Sequence, residues 1–331
     1  MAKGSASKLS RIRRCKRLVW YRDIKKLRRK IPSIAPSRGK VLHAALEEYY
    51  KGNDWTKPIE TMQIDMSNVF DEEREEWARV QGDMYRIMRG YIRTYKERDA
   101  NIKVLATELE FEVDLGNGHT YGGIIDLIYE DETGVWVRDY KTVKQIPDPE
   151  DLYMDVQIFM YFYAAKELGY NPIGVEFDHL RTKVPTQPRL LKNGTISKDK
   201  SIDCDVLTYF EAVKSHGLNP QDYADMVEPL KKKVFYKRTR IPVKKVTLDI
   251  MRGEAMATLG EYEQLQNAAE QLGDRAYYLF PRNMMRQRCS WDCDYFKLCF
   301  SELAGMDTSG LIDEEYEMIK EDEERGDEKT D

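Results

Sequence analysis

The segment YGGIIDLIYEDETGVWVRDYK, residues 121–141, decides the fold. One apolar run in it ends at Asp126, and a second ends at Asp139, which is followed two residues later by Lys141. The turn residues between the runs predict a pair of antiparallel strands. Because side chains alternate along a strand, Asp139 and Lys141 project from one face, and Asp126 can face Asp139 from the neighbouring strand. The segment therefore predicts two carboxylates and a lysine at one end of a small sheet.

The flanking sequence extends this pattern on both sides. Residues 105–115 alternate apolar and polar side chains, which predicts a strand before a hairpin turn at residues 116–118. Residues 150–168 have apolar residues at helical spacing, so Gln157 and Tyr161 share one helix face. The further predicted elements are a helix after Ser37 as N-cap, with His43 near its start, a strand and long loop in residues 171–205, and helices in residues 206–230 and 247–272.

Carboxylates and a lysine in this arrangement suit metal-assisted phosphodiester hydrolysis. Carboxylate oxygens favour Mg²⁺ or Mn²⁺, which activates water and shields phosphate charge, while the lysine stabilises developing negative charge. Taken alone, Asp-x-Lys is a weak signal, since on an exposed strand it is usually solvated charge. A lone histidine such as His43 is more often a core residue than a ligand, although a neutral ring nitrogen can bind a metal. Similarly, Tyr161 can be read as core and Gln157 as surface.

The five cysteines are unevenly distributed. Three form the pattern Cys289-x3-Cys293-x5-Cys299, whereas Cys15 lies near the other end of the chain. We find no secretory signal peptide and no membrane-spanning apolar run, so we expect a cytoplasmic chain with reduced thiols. Clustered reduced cysteines indicate a metal or iron–sulfur site, and their spacing is compatible with both zinc and a 4Fe–4S cluster. Cys204, in a charged loop, is predicted to take no part.

In this order along the chain, Gly39-x3-His43, Gly123-Ile124-Ile125-Asp126, Asp139-Tyr140-Lys141, Gln157-x3-Tyr161 and the cysteines resemble one known family. It is the RecB-type branch of the PD-(D/E)XK nuclease superfamily. Within it, the chain is similar to iron–sulfur nucleases such as the AddB nuclease domain, the CRISPR-associated adaptation exonucleases and phage-encoded exonucleases. The chain departs from the family pattern by having three residues between Cys289 and Cys293, where two are usual, and Lys16 after Cys15, where proline is common.

The resemblance implies a fold, a cofactor set and a role for each matching residue. The implied fold is α/β (α+β): a central mixed sheet flanked by helices, with a restriction-endonuclease-like core and a helical, iron–sulfur collar. The implied roles are metal ligation by His43, Asp126, Asp139 and the Tyr140 carbonyl, catalysis by Asp126, Asp139 and Lys141, DNA binding by Gln157 and Tyr161, and 4Fe–4S ligation by Cys15, Cys289, Cys293 and Cys299. The resemblance favours the cluster over zinc. Glu108 and Glu110 lie on the first strand, and either can approach the site.

Charge is distributed asymmetrically along the 331 residues. Net charge is −5, but residues 1–40 hold fifteen Lys/Arg and one acid, whereas residues 301–331 hold thirteen acids and three Lys/Arg. The basic stretch Arg11–Lys30 contains Trp20 and Tyr21, which suits either phosphate contact with base stacking or a packed, solvated helix. A second basic run, residues 231–245, is expected to be a strand or hairpin along the DNA path, or an exposed edge.

These patterns predict five regions. They are a basic segment with one cluster ligand at residues 1–36, the nuclease core at 37–170, further sheet and helices at 171–280, the cysteine segment at 281–305, and a disordered acidic tail at 306–331. We predict a metal-dependent DNA exonuclease acting on single-stranded or frayed ends in the cytoplasm of a bacterium or a phage-infected host. The similar proteins also include homo-oligomers. The alternatives are a catalytically silent DNA-binding or adaptor protein that retains the fold and, less favoured, a zinc-stabilised RNA-processing enzyme.

Overall fold

The computed structural model describes residues 2–30, 34–61, 71–285, 289–290 and 293–319, and its centre is a mixed β-sheet. Its strands are β1 (Lys3–Gly4), β2 (Leu27–Arg29), β3 (Lys103–Gly116), β4 (His119–Asp131), β5 (Gly134–Val143), β6 (Gly174–Arg181), β7 (Tyr236–Pro242) and β8 (Tyr316–Met318). The α-helices are α1 (Ala6–Arg14), α2 (Lys16–Val19), α3 (Ile34–Tyr50), α4 (Lys57–Glu60), α5 (Asp71–Asp99), α6 (Val156–Glu167), α7 (Val206–Ser215), α8 (Val227–Lys231), α9 (Lys245–Leu272), α10 (Phe296–Leu303) and α11 (Ser309–Glu315). Within the described part of the chain, no helix has the length and apolar character needed to span a membrane.

The main sheet has six strands and is covered by helices on both faces. Strands β3, β4 and β5 form an antiparallel meander, β6 joins β5 in parallel through α6, and β7 pairs antiparallel with β6 at the edge. One hydrophobic core includes residues of α1, α6 and α9, and a second packs α3 and α5 against β4 and β5. A helix is needed between β5 and β6 because parallel neighbours require a crossover connection. The expected mixed α/β sheet with flanking helices is therefore confirmed.

The three strands predicted around the site are confirmed with slightly longer bounds. The turn at Gly116–Gly118 holds all three residues at positive φ, which glycine and asparagine tolerate. Ser37 is not an N-cap, since α3 already includes Ile34, with Pro36 accommodated in the first turn, where its missing N–H has no intrahelical partner.

Three predicted long helices differ from the observed elements. Within residues 150–168, a 3₁₀ turn at Asp151–Met154 precedes α6, whose N-cap Asp155 accepts a hydrogen bond from the Gln157 amide. Within residues 206–230, α7 ends at Ser215 before a second 3₁₀ turn and α8. The helix predicted at residues 247–272 is α9 and begins two residues earlier.

Strands β4 and β5 pair over only part of their length. Their pairing begins with Asp131 opposite Gly134 and ends with Leu127 opposite Arg138. Beyond that point β5 continues alongside β6 only. At the point of separation, the Asp126 carboxylate Oδ2 accepts a hydrogen bond from the Tyr140 amide at 2.5 Å. The divergence of two strands thus creates an opening at the sheet end where Asp126 lies.

In the basic run at residues 231–245, β7 is an edge strand of the sheet, and two of its arginines contact buried acids. Arg238 pairs with Asp178 at 2.9 Å and also with Asp99, and its side chain is 1% exposed. Arg240 pairs with Glu176 at 2.9 Å. These guanidiniums neutralise buried carboxylates behind the sheet, so the prediction of a DNA-facing basic strand is wrong for them.

Glu176 gives a prediction for folding stability. It is fully buried, and although burial raises its pKa, Arg138 and the neighbouring arginines lower it to about 2. Its stabilising effect is therefore complete above the unfolded-state pKa of about 4.3 and is lost as pH falls toward 2. Glu176→Gln should lower the free energy of unfolding by about 3–5 kcal/mol at neutral pH, because it leaves buried arginine charge uncompensated.

Urea denaturation at pH 7 measures this loss against Glu167→Gln, an exposed control on α6. A Glu176→Gln variant as stable as the control would contradict the assigned role of the ion-pair network.

The two ends of the described chain meet in a second, two-stranded sheet. Strand β2 pairs antiparallel with β8, with Leu27 opposite Met318. Trp20 and Tyr21 are 4% and 2% exposed, so they belong to the core and are unavailable for base stacking. Residues 309–318 form α11 and β8, so this part of the predicted disordered tail is folded, while residues 320–331 lie outside the described residues.

Candidate nuclease active site and cysteine cavity

Three side chains from three elements converge where β4 and β5 separate. His43 comes from α3, Glu108 from β3 and Asp126 from β4, and one ligand atom of each lies within 4.8 Å of the others. His43 Nδ1 lies 3.5 Å from Asp126 Oδ1. Two carboxylates and an imidazole form a donor set suited to a small divalent cation that also keeps waters.

Glu108 is held in this group by an unusual backbone conformation. Its φ is +44°, a left-handed value that is strained for a residue with a side chain. Its neighbours Thr107 and Leu109 pair with Leu127 and Ile125, which sets Glu108 opposite Asp126. Its Oε1 atom is buried and has no hydrogen-bond partner among the described residues. A strained residue with an unsatisfied buried carboxylate oxygen fits a bound cation at this position.

Asp139 and Lys141 form an ion pair next to these three donors. Lys141 Nζ lies 3.0 Å from Asp139 Oδ2 and 3.6 Å from Asp155 Oδ2. The side chain of Asp139 is 2% exposed, and that of Lys141 is 28% exposed. Lys141 thus presents a charged amine at the opening while its carboxylate partner stays buried.

Gln157 and Tyr161 support Lys141 from α6. The Gln157 Oε1 atom accepts a hydrogen bond from Lys141, and Gln157 Nε2 donates to the Tyr161 hydroxyl at 2.8 Å. Tyr161 is 3% exposed, and its ring makes an edge contact with Phe111. A Cβ atom at Gly123 would lie 3.2 Å from the Tyr161 ring, so this glycine gives the tyrosine its space. Tyr161 therefore lies behind the site, whereas Gln157 lies at the amine.

The site is electrostatically poised for a cation. Burial and the Asp126 charge raise the pKa of Glu108 to about 7. Although burial lowers the pKa of His43, Asp126 and the other carboxylates raise it to about 9. Burial also raises the pKa of Asp139, although Lys141 opposes the shift. Because metal ligation requires ionised carboxylates and a neutral imidazole, metal binding at this site is expected to release protons.

The structure therefore groups the predicted site residues in two sets. His43 and Asp126 lie in the three-donor group, while Asp139 pairs with Lys141 beside it. Tyr140 lies between the two sets, and its backbone N–H donates a hydrogen bond to the Asp126 carboxylate. The sequence alone does not show which of Glu108 and Glu110 approaches the site. The hairpin register distinguishes them, because Glu110 lies opposite Ile124 rather than Asp126.

Four of the five cysteines line one cavity of about 430 Å³ between the N- and C-terminal segments. They are Cys15, Cys289, Cys293 and Cys299. Arg282 Nε donates to the Cys299 sulfur at 3.0 Å, and the Asn283 amide donates to the Cys15 sulfur at 3.3 Å. Burial raises the pKa of Cys293 to about 11. Cys204 is buried in a separate small core with Tyr209, as expected for a cysteine that takes no part.

Comparison with known proteins identifies one family. A family model described as the PD-(D/E)XK nuclease superfamily matches residues 3–300. No match is found among curated proteins. The matched range includes the three-donor group, the Asp139–Lys141 pair and the four cysteines that line the cavity.

Proposed function

We propose that this chain, which belongs to the PD-(D/E)XK nuclease superfamily, is a divalent-metal-dependent exonuclease of the RecB type that acts on single-stranded or frayed DNA ends. Members of the superfamily are nucleases that use divalent metals, and DNA is the substrate that membership implies. The observation that carries the proposal is the convergence of His43, Glu108 and Asp126 beside the Asp139–Lys141 pair.

The donors at the sheet end suit Mg²⁺ or Mn²⁺. We assign His43, Asp126 and Glu108 as ligands, with Asp139 and the Tyr140 carbonyl completing the set. The unsatisfied Oε1 of Glu108 supports this assignment, because a buried carboxylate oxygen needs a partner. When bound, the metal lowers the pKa of water and neutralises phosphate charge.

Lys141 is assigned to the reacting phosphate. Although burial lowers the pKa of this amine, the Asp139 and Asp155 carboxylates raise it, so it stays protonated at neutral pH. A fixed ammonium in a partly buried site stabilises the charge that develops on phosphate oxygens and orients the attacking water. Gln157 and Tyr161 position that amine, and the partly exposed Gln157 is a candidate for DNA contact.

We further propose that Cys15, Cys289, Cys293 and Cys299 hold a structural 4Fe–4S cluster. The four cysteines line one cavity, so one centre can bind all of them. The resemblance to iron–sulfur nucleases favours a 4Fe–4S cluster over zinc at this place. The cluster would join the N-terminal basic segment to the cysteine segment.

The test of this function compares two forms of the same single strand. With Mn²⁺, the protein should degrade a labelled linear strand and spare a covalently closed circle, because an exonuclease needs an end. Excess EDTA should stop the reaction. Cleavage of the circle at the linear rate would indicate an endonuclease, and binding without cleavage would favour the alternative of a catalytically silent DNA-binding protein.

Glu108→Gln gives a prediction specific to the three-donor group. Loss of one ligand charge should raise the Mn²⁺ concentration needed for half-maximal cleavage by at least about tenfold, with partial recovery at high Mn²⁺. Glu110→Gln, two residues along the same strand and opposite Ile124, is the matched control and should behave like wild type. Equal metal requirements in both variants would remove Glu108 from the site.

A further inference from the structure

Two arginines bring positive charge to the cavity that the four cysteines line. Arg17 lies in α2, two residues after Cys15, and Arg282 lies at the start of the cysteine segment. Both line the cavity. Like charges brought together at a cavity wall are unfavourable unless an anion lies between or beside them.

Arg17 is buried without the partners that its charge needs. Its side chain stacks on the Tyr277 ring, 3.4 Å from the centroid, and Nη2 donates to the Tyr277 carbonyl at 3.2 Å. The residue is 3% exposed, and its Nε and Nη1 atoms are buried with no hydrogen-bond partner among the described residues. Among the residues that the structure describes, no ion pair within 4.0 Å involves Arg17. A buried guanidinium with two unsatisfied donors indicates that an acceptor is missing.

The contacts of Arg282 show that a cysteine sulfur can accept a hydrogen bond from an arginine in this cavity. Its Nε atom donates to the Cys299 sulfur at 3.0 Å, while another of its nitrogens contacts Glu302. The side chain therefore already points one donor at a proposed ligand.

We propose that Arg17 and Arg282 form a cationic clamp that retains an anionic metal–thiolate centre in the cysteine cavity. The inference rests on the cluster assigned above, and it concerns charge rather than the identity of the metal. Both a 4Fe–4S centre and a zinc ion carry net negative charge when four thiolates bind them. Arg17 supplies positive charge at the cavity wall, and Arg282 supplies a donor to the Cys299 sulfur. Neither arginine binds the metal itself. Both act on the cysteine ligands, because donors outside the ligand shell hold the ligands in place and strengthen metal binding.

The test measures metal release from anaerobically purified protein into a chromophoric chelator. Arg17→Met, which keeps length and removes charge, should release metal about tenfold faster than wild type or more. Arg17→Lys should be intermediate, because it keeps the charge and loses the forked donors. Arg282→Gln should also release metal faster. The control is Arg275→Met, an exposed arginine that does not line the cavity, and it should match wild type.

Each outcome decides the proposal. If Arg17→Met does not fold, Arg17→Lys and Arg282→Gln carry the test, and wild-type release rates in both would overturn the clamp. Zinc in place of iron, with the same order of release rates, would support the clamp and refute the 4Fe–4S assignment. Wild-type protein without any metal would overturn the clamp and the cluster together. Cleavage of DNA by that same preparation would then show that the nuclease assignment is unaffected.

Discussion

Replacing Lys141 by alanine is expected to slow strand cleavage at least about a hundredfold, with DNA binding retained. The amine lies at the opening of the site, and two carboxylates and Gln157 hold it there. Its removal takes away a fixed positive charge that acts on the transition state more than on bound DNA, so the rate constant should fall while the affinity changes little.

Single-turnover cleavage with Mn²⁺ and a separate binding assay measure the two effects. Asp139→Asn should give a loss of similar size, because it removes a proposed metal ligand and the buried partner of the amine. Lys183→Ala is the control, since this lysine is 58% exposed and pairs with Asp203. Near-normal rates in both Lys141→Ala and Asp139→Asn would show that the chemistry takes place elsewhere.

Serine at Cys15 is expected to remove most of the iron and to destabilise the whole chain. Cys15 is the one N-terminal residue among the four proposed ligands, so its loss should separate the N-terminal segment from the cysteine segment. Metal binding couples to folding when the site exists only in the folded chain. Serine at Cys289, Cys293 or Cys299 should have the same effect.

Iron content, visible absorbance and thermal unfolding of anaerobically purified protein measure this loss. Cys204→Ala is the control, because that cysteine lies in a separate core and should keep wild-type iron content. A Cys15→Ser variant with full iron would exclude Cys15 as a ligand. Equal iron loss in Cys204→Ala would show that the effect is not specific to the cavity.

Local sequence predicted the strands around the site and their order. Alternation and turn chemistry located β3, β4 and β5, because each is a half-buried strand bounded by glycine, asparagine or aspartate. The convergence of His43 with the sheet was implied by family resemblance alone, since no spacing rule links α3 to β4. The position of Glu108 opposite Asp126 could have been predicted from the hairpin turn. Residues 108 and 126 each lie nine residues from Asn117, at the centre of that turn, so they face each other on the two strands.

The basic segments could not be interpreted from composition. Arg238 and Trp20 both lie in basic stretches, yet one neutralises buried acids and the other packs in the core. Their partners, Asp99, Asp178 and Tyr277 among them, come from distant parts of the chain. A charge run indicates a DNA surface only when its side chains have no buried partners, and tertiary structure alone reveals those partners.

We infer that the site at the separation of β4 and β5 cleaves DNA with a divalent metal. The most direct measurement is the initial rate of cleavage of a labelled single strand against Mn²⁺ concentration, for wild type and Asp126→Asn purified side by side. We expect no cleavage in excess chelator, a saturable rise with Mn²⁺ for wild type, and at least about a hundredfold lower rates for the variant. Cleavage that persists in excess chelator, or an Asp126→Asn variant as active as wild type, would contradict it.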